Sequence, residues 1–502
     1  MVAPGESAGH TEDWLDLARN LDWTPDAVSE RDLFPAQIAG DPWLPAEEWA
    51  GWSEPYRTWF GDYVRVQSEK ETSVAAIVEA LGRASDVSRL DPGWLSGVKL
   101  HAATLPLAEF AAVIGSLRAA RFGRHGAWRT TALFGALDEL RHTQIPLTMM
   151  HELVRFDAQF DWTHRLLHTN NWVAIAARHT FEELLLCADA VEYALATNFV
   201  FETGFTNLQF IGLAAVSDQV DDRLFETMIT SIQTDEARHA QIGRPVLETV
   251  VAHDPDGAQR LVDKWFWRSW QLFSVVTGFA MDYLTPVSRR AGSFKEFVEE
   301  WVVGQFLDSL QDVGLRRPWY WETFERSLDH YHHSVYASAY SYRSTVWFDM
   351  VLPGPEERRW LRRKYPDSFP AYEPIWDRVT ELWRRTDPGI DLAVHGLAVP
   401  LFCHLCQIVL AHGTPDGNDA VVVHHEGRSR IFCSEPCRWI FESEPERYAG
   451  HQDIVSRVLA GEAPGNLVQF LRRYCGLTYE EWGKDVRGGV YPWMMAREDG
   501  RG

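Results

Sequence analysis

Residues 138–142 read Asp138-Glu139-Leu140-Arg141-His142, and residues 235–239 read Asp235-Glu236-Ala237-Arg238-His239. On a helix, positions three apart share a face. Each segment therefore aims a carboxylate and an imidazole the same way, one turn apart. Of the 19 histidines, only His142 and His239 follow a glutamate by three. One Glu-x-x-His is ordinary. Two copies inside the same five-residue pattern, both on long apolar segments, point to a paired site. A Glu-x-x-His from each of two helices, joined by one glutamate from each of two others, makes a dinuclear carboxylate centre in a four-helix bundle.

That geometry demands two more inward glutamates. Glu109 is the only acid between Asp91 and Asp138, in Leu105-Pro106-Leu107-Ala108-Glu109-Phe110-Ala111-Ala112. Glu202 is the only acid between Glu192 and Asp218, in Phe199-Val200-Phe201-Glu202-Thr203-Gly204-Phe205-Thr206-Asn207. A lone charge in such surroundings is costly unless it is paired or binds a cation. Four carboxylates and two neutral imidazoles balance two Fe(II) ions, and mixed oxygen and nitrogen ligation suits iron or manganese. Asp138 and Asp235 are placed to accept a ring N–H, each from the histidine of the opposite helix. Arg141 and Arg238 would neutralise those aspartates. For either segment alone, a buried ion-pair network between helices explains the residues as well.

Working outward, apolar residues recur at steps of three and four from about 50 to 345. They predict helices at roughly 54–82, 98–121, 127–155, 171–199, 200–216, 219–248, 257–285 and 293–313. Several are apolar around much of their circumference, as helices inside a large bundle are. Residues 317–385 read as shorter wrapping helices. The expected class is mainly α: a ferritin-like four-helix core within a larger helical domain at 51–390. An irregular, proline-interrupted segment precedes it at 1–50, and a C-terminal region follows at 391–502.

That last region has a different texture. Cys403-His404-Leu405-Cys406 is followed by a β-branched run at Ala420–Val423, a Glu426-Gly427 turn, Arg430–Cys433, and Cys433-Ser434-Glu435-Pro436-Cys437 entering a helix at 435–443. Two close cysteine pairs suit a tetrahedral zinc site, so a small α+β module is expected at about 400–445. His404, His424 or His425 could replace one cysteine. Cys187 and Cys475 have no evident partner.

Composition bounds the rest. The 502 residues are 46% hydrophobic and 24% charged, with a net charge of −23. This excludes a disordered chain or a disulfide scaffold, and argues against a broad basic surface for nucleic acid. Met1–Asp13 shows no secretory signal. Leu392–Pro415 lacks Asp, Glu, Lys and Arg and is long enough to span a bilayer, but its histidines, glycines and Cys-x-x-Cys suit a metal loop better than lipid. Six cysteines without a signal suggest a reducing, cytoplasmic setting with no membrane partner. No Gly-x-Gly-x-x-Gly fingerprint and no ferredoxin cysteine spacing occurs, so the chain needs separate redox proteins.

These stretches, together with Ser231-Ile232-Gln233-Thr234 ahead of Asp235, resemble the hydroxylase large subunit of soluble diiron multicomponent monooxygenases over roughly residues 10–490. The branch looks like the toluene, alkene and isoprene monooxygenases. Retention of the cysteine pairs tilts the resemblance to the alkene and isoprene side. The resemblance implies oxygen insertion from O2 into a small hydrocarbon at two irons held by Glu109, Glu139, His142, Glu202, Glu236 and His239. It also implies electrons from NADH through a reductase and a Rieske ferredoxin, an effector protein, and smaller hydroxylase subunits in a dimer of heterotrimers. Thr206 matches the family's active-site threonine, and Asn207 and Gln233 match polar positions near the metal helices. The plain alternative for Thr206 is back-bonding to a helix carbonyl. Gly204 suggests a local widening of its helix. Leu105, Ala108 and Ala112 fall on or beside the Glu109 face, and Phe201 and Thr206 flank Glu202. Family correspondence adds Phe181 and Phe210, for an apolar substrate pocket. Phenol or propane hydroxylation is the nearest rival reading. Iron storage, a scaffold role or desaturation are more distant ones.

Overall fold

The computed structural model describes residues 44–451 apart from 45, 55–56, 85–86, 158–159, 161–171, 186, 188, 343–347, 349, 386–400, 411–419 and 450, together with 494–496. Most of the irregular 1–50 segment and Cys475 lie outside the described residues.

Four long helices form the centre: α2 (Pro92–Phe122), α3 (Gly126–Leu153), α5 (Ala190–Gln219) and α6 (Arg223–His253). α1 (Phe60–Ala84) lies against α3 and α6, and α4 (Trp172–Leu185) against α2. α7 (Pro255–Phe279) packs on α5 and carries the layer of later helices, the longest being Trp321–Tyr342. Caps set where the central helices begin. Asp91 accepts from the N–H groups of Gly93 and Trp94, Asp222 from Phe225, and Asp254 from Gly257 with Pro255 in the first turn. α2 and α5 are long and apolar enough to cross a bilayer by composition alone. Much of their apolar surface is instead spent on neighbouring helices.

Two expectations need correction. The predicted helices 171–199 and 200–216 are divided in the wrong place. α4 ends at Leu185, and a new helix starts at Ala190, capped by the Asp189 side chain on the Glu192 N–H. Pro106 and Pro146 lie inside α2 and α3. The widening at Gly204 is larger than expected, since Ala194–Thr206 is π-helical throughout. Here α6 comes very close: a Cβ on Gly243 would lie 2.5 Å from the Phe199 nitrogen, so no larger residue fits.

The C-terminal module matches its reading. β1 (Val421–His425) and β2 (Arg428–Phe432) form an antiparallel hairpin. Its turn residues, Glu426 and Gly427, both take positive φ, 51° and 74°. A helix at Glu435–Ser443 follows, capped by Ser434.

Candidate metal centre

Six side chains from four helices meet in the middle of the bundle, all buried: Glu109 from α2, Glu139 and His142 from α3, Glu202 from α5, and Glu236 and His239 from α6. Their arrangement is nearly two-fold. Glu139 sets one oxygen 3.2 Å from His142 Nδ1 and the other 3.1 Å from His239 Nδ1. Glu236 does the same at 3.3 Å on both sides. Glu109 approaches only His142, at 3.5 Å, and Glu202 only His239, at 3.8 Å. Each imidazole thus has one carboxylate of its own and two that it shares, and the ring centroids are 6.0 Å apart. The ligand atoms fall into two overlapping groups, each within 4.8 Å, with Glu139 in both.

The far ring nitrogens face away from this gap. His142 Nε2 bonds Asp235 at 3.3 Å, and His239 Nε2 faces Asp138 at 3.4 Å, so each imidazole turns its outer nitrogen to an aspartate of the opposite helix. Arg141 pairs with Asp235 at 2.8 Å, and Arg238 pairs with Asp138. α1 closes the back of this layer, a contribution that sequence reasoning missed. The Tyr63 hydroxyl donates to Asp138 at 2.9 Å, and Gln67 donates to both aspartates, at 2.8 and 3.0 Å. Lys70 pairs with Asp235, and Glu71 with Arg141.

Electrostatics shows what the gap lacks. Burial pushes the Glu202 carboxyl up to about 8 and raises Glu109 well above its ordinary value. Burial opposes ionisation of Glu139 too, but the His239 and His142 imidazoles hold it below the carboxylate range. Both imidazoles rise despite burial, because carboxylates surround them. Without cations, the cluster gathers protons. Glu236 Oε2 and His239 Nδ1 are buried with no hydrogen-bond partner. A buried cluster of four carboxylates and two imidazoles, with an oxygen of Glu236 and Nδ1 of His239 left unbonded, fits two divalent ions, and the donor set suits iron.

A narrow cavity of about 60 Å3 opens beside the cluster. At roughly 10–15 Å3 per water, this is room for about four to six water-sized atoms. Its lining includes Leu105, Ala108, Ala112, Phe181, Phe201 and Thr206, and also Glu109, Glu139, Glu202 and Glu236. Thr206 donates its hydroxyl to the Phe201 carbonyl at 3.2 Å, so it back-bonds and faces the cavity at once. Phe210 does not line the cavity. It packs in the adjoining apolar cluster with Leu213 and Phe225, and Gln209 takes the lining position. Asn207 and Gln233 are half-buried and also stand outside the lining. His101, Tyr193, Leu184, Leu272 and Val276 line the cavity without having been expected. Burial holds the His101 imidazole neutral, down to about 4. Asn198, also unexpected, donates to Glu202 at 2.9 Å.

In the C-terminal module the sulfurs of Cys403, Cys406, Cys433 and Cys437 lie within 4.8 Å of one another, all buried and none in a disulfide. Cys433 and Cys437 are 3.4 Å apart and Cys406 and Cys433 4.0 Å, close to the roughly 3.8 Å edge of a zinc–sulfur tetrahedron. His404 is engaged elsewhere, by Arg430 and the Tyr448 carbonyl. A third group, Asp282, His332 and His333, is tied up within the protein: Asp282 accepts from the Phe294 N–H and Tyr365 and pairs with His332, and His333 meets Tyr283 at 2.7 Å.

Residues 23–254 match the family described as Methane/Phenol/Alkene Hydroxylase. The chain is 40% identical to the alkene monooxygenase oxygenase component subunit alpha of Xanthobacter autotrophicus, over 95% of each chain. It is 29% identical to the phenol 2-monooxygenase oxygenase component of a Pseudomonas species, over 90% of this chain and 87% of that one. A solved phenol hydroxylase from Pseudomonas sp. OX1 superposes with a TM-score of 0.79 at 26% identity, covering 94% of this chain and 98% of that one.

Proposed function

This chain belongs to the methane, phenol and alkene hydroxylase family of diiron monooxygenases, and from that premise we propose that it is the catalytic large subunit of a system that epoxidises small alkenes. The single observation carrying the site assignment is the placement of Glu139 and Glu236, each with one oxygen beside either imidazole. We assign Glu109, Glu139 and Glu236 with His142 to one iron, and Glu139, Glu202 and Glu236 with His239 to the other. Two irons held by these residues would supply the activation of O2 that puts one oxygen atom into the hydrocarbon and, with two electrons and two protons, releases the other as water.

The protein's own residues do the rest. Glu139 and Glu236, each placed between the two imidazoles, would hold both ions. Asp138 and Asp235 fix which ring nitrogen of His239 and His142 carries the proton, leaving Nδ1 free as a ligand. Ala108 and Ala112 leave room for the substrate, and Leu105, Phe181 and Phe201 keep the space apolar, which excludes water from the reaction. Thr206 can move a proton at its hydroxyl by turning from the Phe201 carbonyl into the cavity. Asn207 and Gln233 are assigned supporting polar roles outside the lining.

The relatives are named as oxygenase components, so other components are required. We read these as smaller hydroxylase subunits, an effector, a Rieske ferredoxin and an NADH reductase, working in the cytoplasm. The four cysteines are assigned a structural zinc. The alkene reading rests on the alkene monooxygenase relative and on the small cavity. Phenol hydroxylation is the second reading, favoured by the structural likeness to phenol hydroxylase. The reconstituted system, given propene, isoprene, toluene, phenol and propane under labelled O2, separates them. Label in the epoxides of propene and isoprene supports the alkene reading, and turnover of phenol alone overturns it.

A further inference from the structure

α7 and α4 each present one face to the four-cysteine cluster or its surroundings and another to the cavity. On α7, the Trp267 indole N–H donates to Cys437 Sγ at 3.3 Å. One turn on, Gln271 Nε2 donates to Cys437 Sγ at 3.3 Å and to Cys433 Sγ at 3.6 Å. The other end of the same amide, Oε1, accepts from Arg268 at 2.7 Å. Arg268 is fully buried and reaches α4, bonding Glu183 at 2.6 Å and Thr180 at 3.2 Å. The module grips Glu183 from the other side, through the Tyr448 hydroxyl and through Arg447 on its carbonyl at 2.9 Å.

The residues beside these anchors are cavity wall. Leu272 and Val276 follow Arg268 at steps of four on α7, and Phe181 and Leu184 adjoin Thr180 and Glu183 on α4. A continuous chain of contacts thus runs from sulfur to amide to guanidinium to the helix that carries Phe181. Four thiolates around one divalent ion leave a net charge of −2, and Trp267, Gln271 and Arg268 are the donors and the cation turned toward it.

We propose that Gln271 and Arg268 are positioning residues that tie the four-cysteine cluster to the cavity wall, so that the cluster sets which hydrocarbons the cavity accepts. This rests on the assignments of a metal to the cysteines and of a hydrocarbon to the cavity. Packed interiors shift by discrete steps when a buried anchor is lost, and small displacements at a reacting centre are expensive.

The test compares the wild-type complex with Gln271→Met, which keeps volume and drops the hydrogen bonds of the amide to Cys433, Cys437, Tyr331 and Arg268, and with Arg268→Lys, which keeps charge and loses the fork. Iron and zinc are measured in each, together with toluene affinity of the resting protein and the ratio of isoprene to propene turnover. The expected result is both metals retained, with the isoprene-to-propene ratio and the toluene affinity each shifted about threefold or more. Metals retained with ratio and affinity unmoved, whatever happens to the melting temperature, overturns the inference alone. Wild-type protein without metal at the cysteines overturns the zinc assignment and this inference with it. Wild-type protein that neither binds toluene nor turns over an alkene overturns the proposed function.

Discussion

The bundle cluster and the cysteine cluster are built in opposite ways. The first draws six ligands from four long helices, spread from Glu109 to His239, and exists only when those helices pack. The second draws four cysteines from two short turns, Cys403–Cys406 between the paired strands Leu401–Phe402 and Val409–Leu410, and Cys433–Cys437 where the hairpin runs into its helix. The bundle cluster has a cavity on one side, so ligand positions stay open to small molecules. The cysteine cluster is closed by its own sulfurs. Open sites do chemistry and closed sites hold structure. One chain uses both, and α7 touches both.

The largest expected effect separates them outright. Glu139→Gln removes a carboxylate that both imidazoles share. Iron content and monooxygenase activity should fall together, activity by more than about 100-fold, since even supporting residues around metals cost 10–100-fold. Cys437→Ser should instead remove the zinc we assign to the cysteines while iron stays, with a melting temperature lowered by about 2–4 °C for each kcal/mol lost. Iron retained in the first variant, or lost in the second, would erase the contrast.

Next comes the layer behind the ligands. Asp235→Asn and Asp138→Asn should each lower iron affinity about 10–100-fold, read by competition with a chelator. Asp235→Asn should be the worse, because Asp235 faces three cations, Arg141, Lys70 and, at 3.8 Å, Arg238, whereas Asp138 pairs with Arg238 alone. A smaller effect is expected at the cavity. Ala112→Leu should favour propene over isoprene by about three- to tenfold with iron unchanged, measured as the ratio of kcat/KM values. The smallest is Tyr63→Phe, which removes one of the donors to Asp138 and should cost about 1 kcal/mol in denaturant unfolding with activity nearly intact.

The same two regions show what a sequence displays. The Asp-Glu-x-Arg-His echo and the isolation of Glu109 and Glu202 make the bundle cluster legible, because a charge alone on an apolar helix needs a reason to be there. The cysteine hairpin is legible for a simpler cause: its ligands, turn and helix follow one another locally. Tyr63, Gln67 and Lys70 gave no such signal, since they lie on an ordinary amphipathic helix and their partners are far along the chain. The break before Ala190 did have a signal. Asp189 and Glu192 stand at capping spacing, but the apolar run from Ala190 through Phe205 hid it. Phe210 was placed by family correspondence, and Gln209, its neighbour, took the lining position beyond the π-helical stretch.

The most direct test is diffraction from crystals of the iron-loaded protein, recorded on both sides of the iron absorption edge. The account predicts two anomalous peaks, both contacted by Glu139 and Glu236, with His142 Nδ1 on one and His239 Nδ1 on the other. A single peak, or density at the iron edge nowhere among these six side chains, would contradict it.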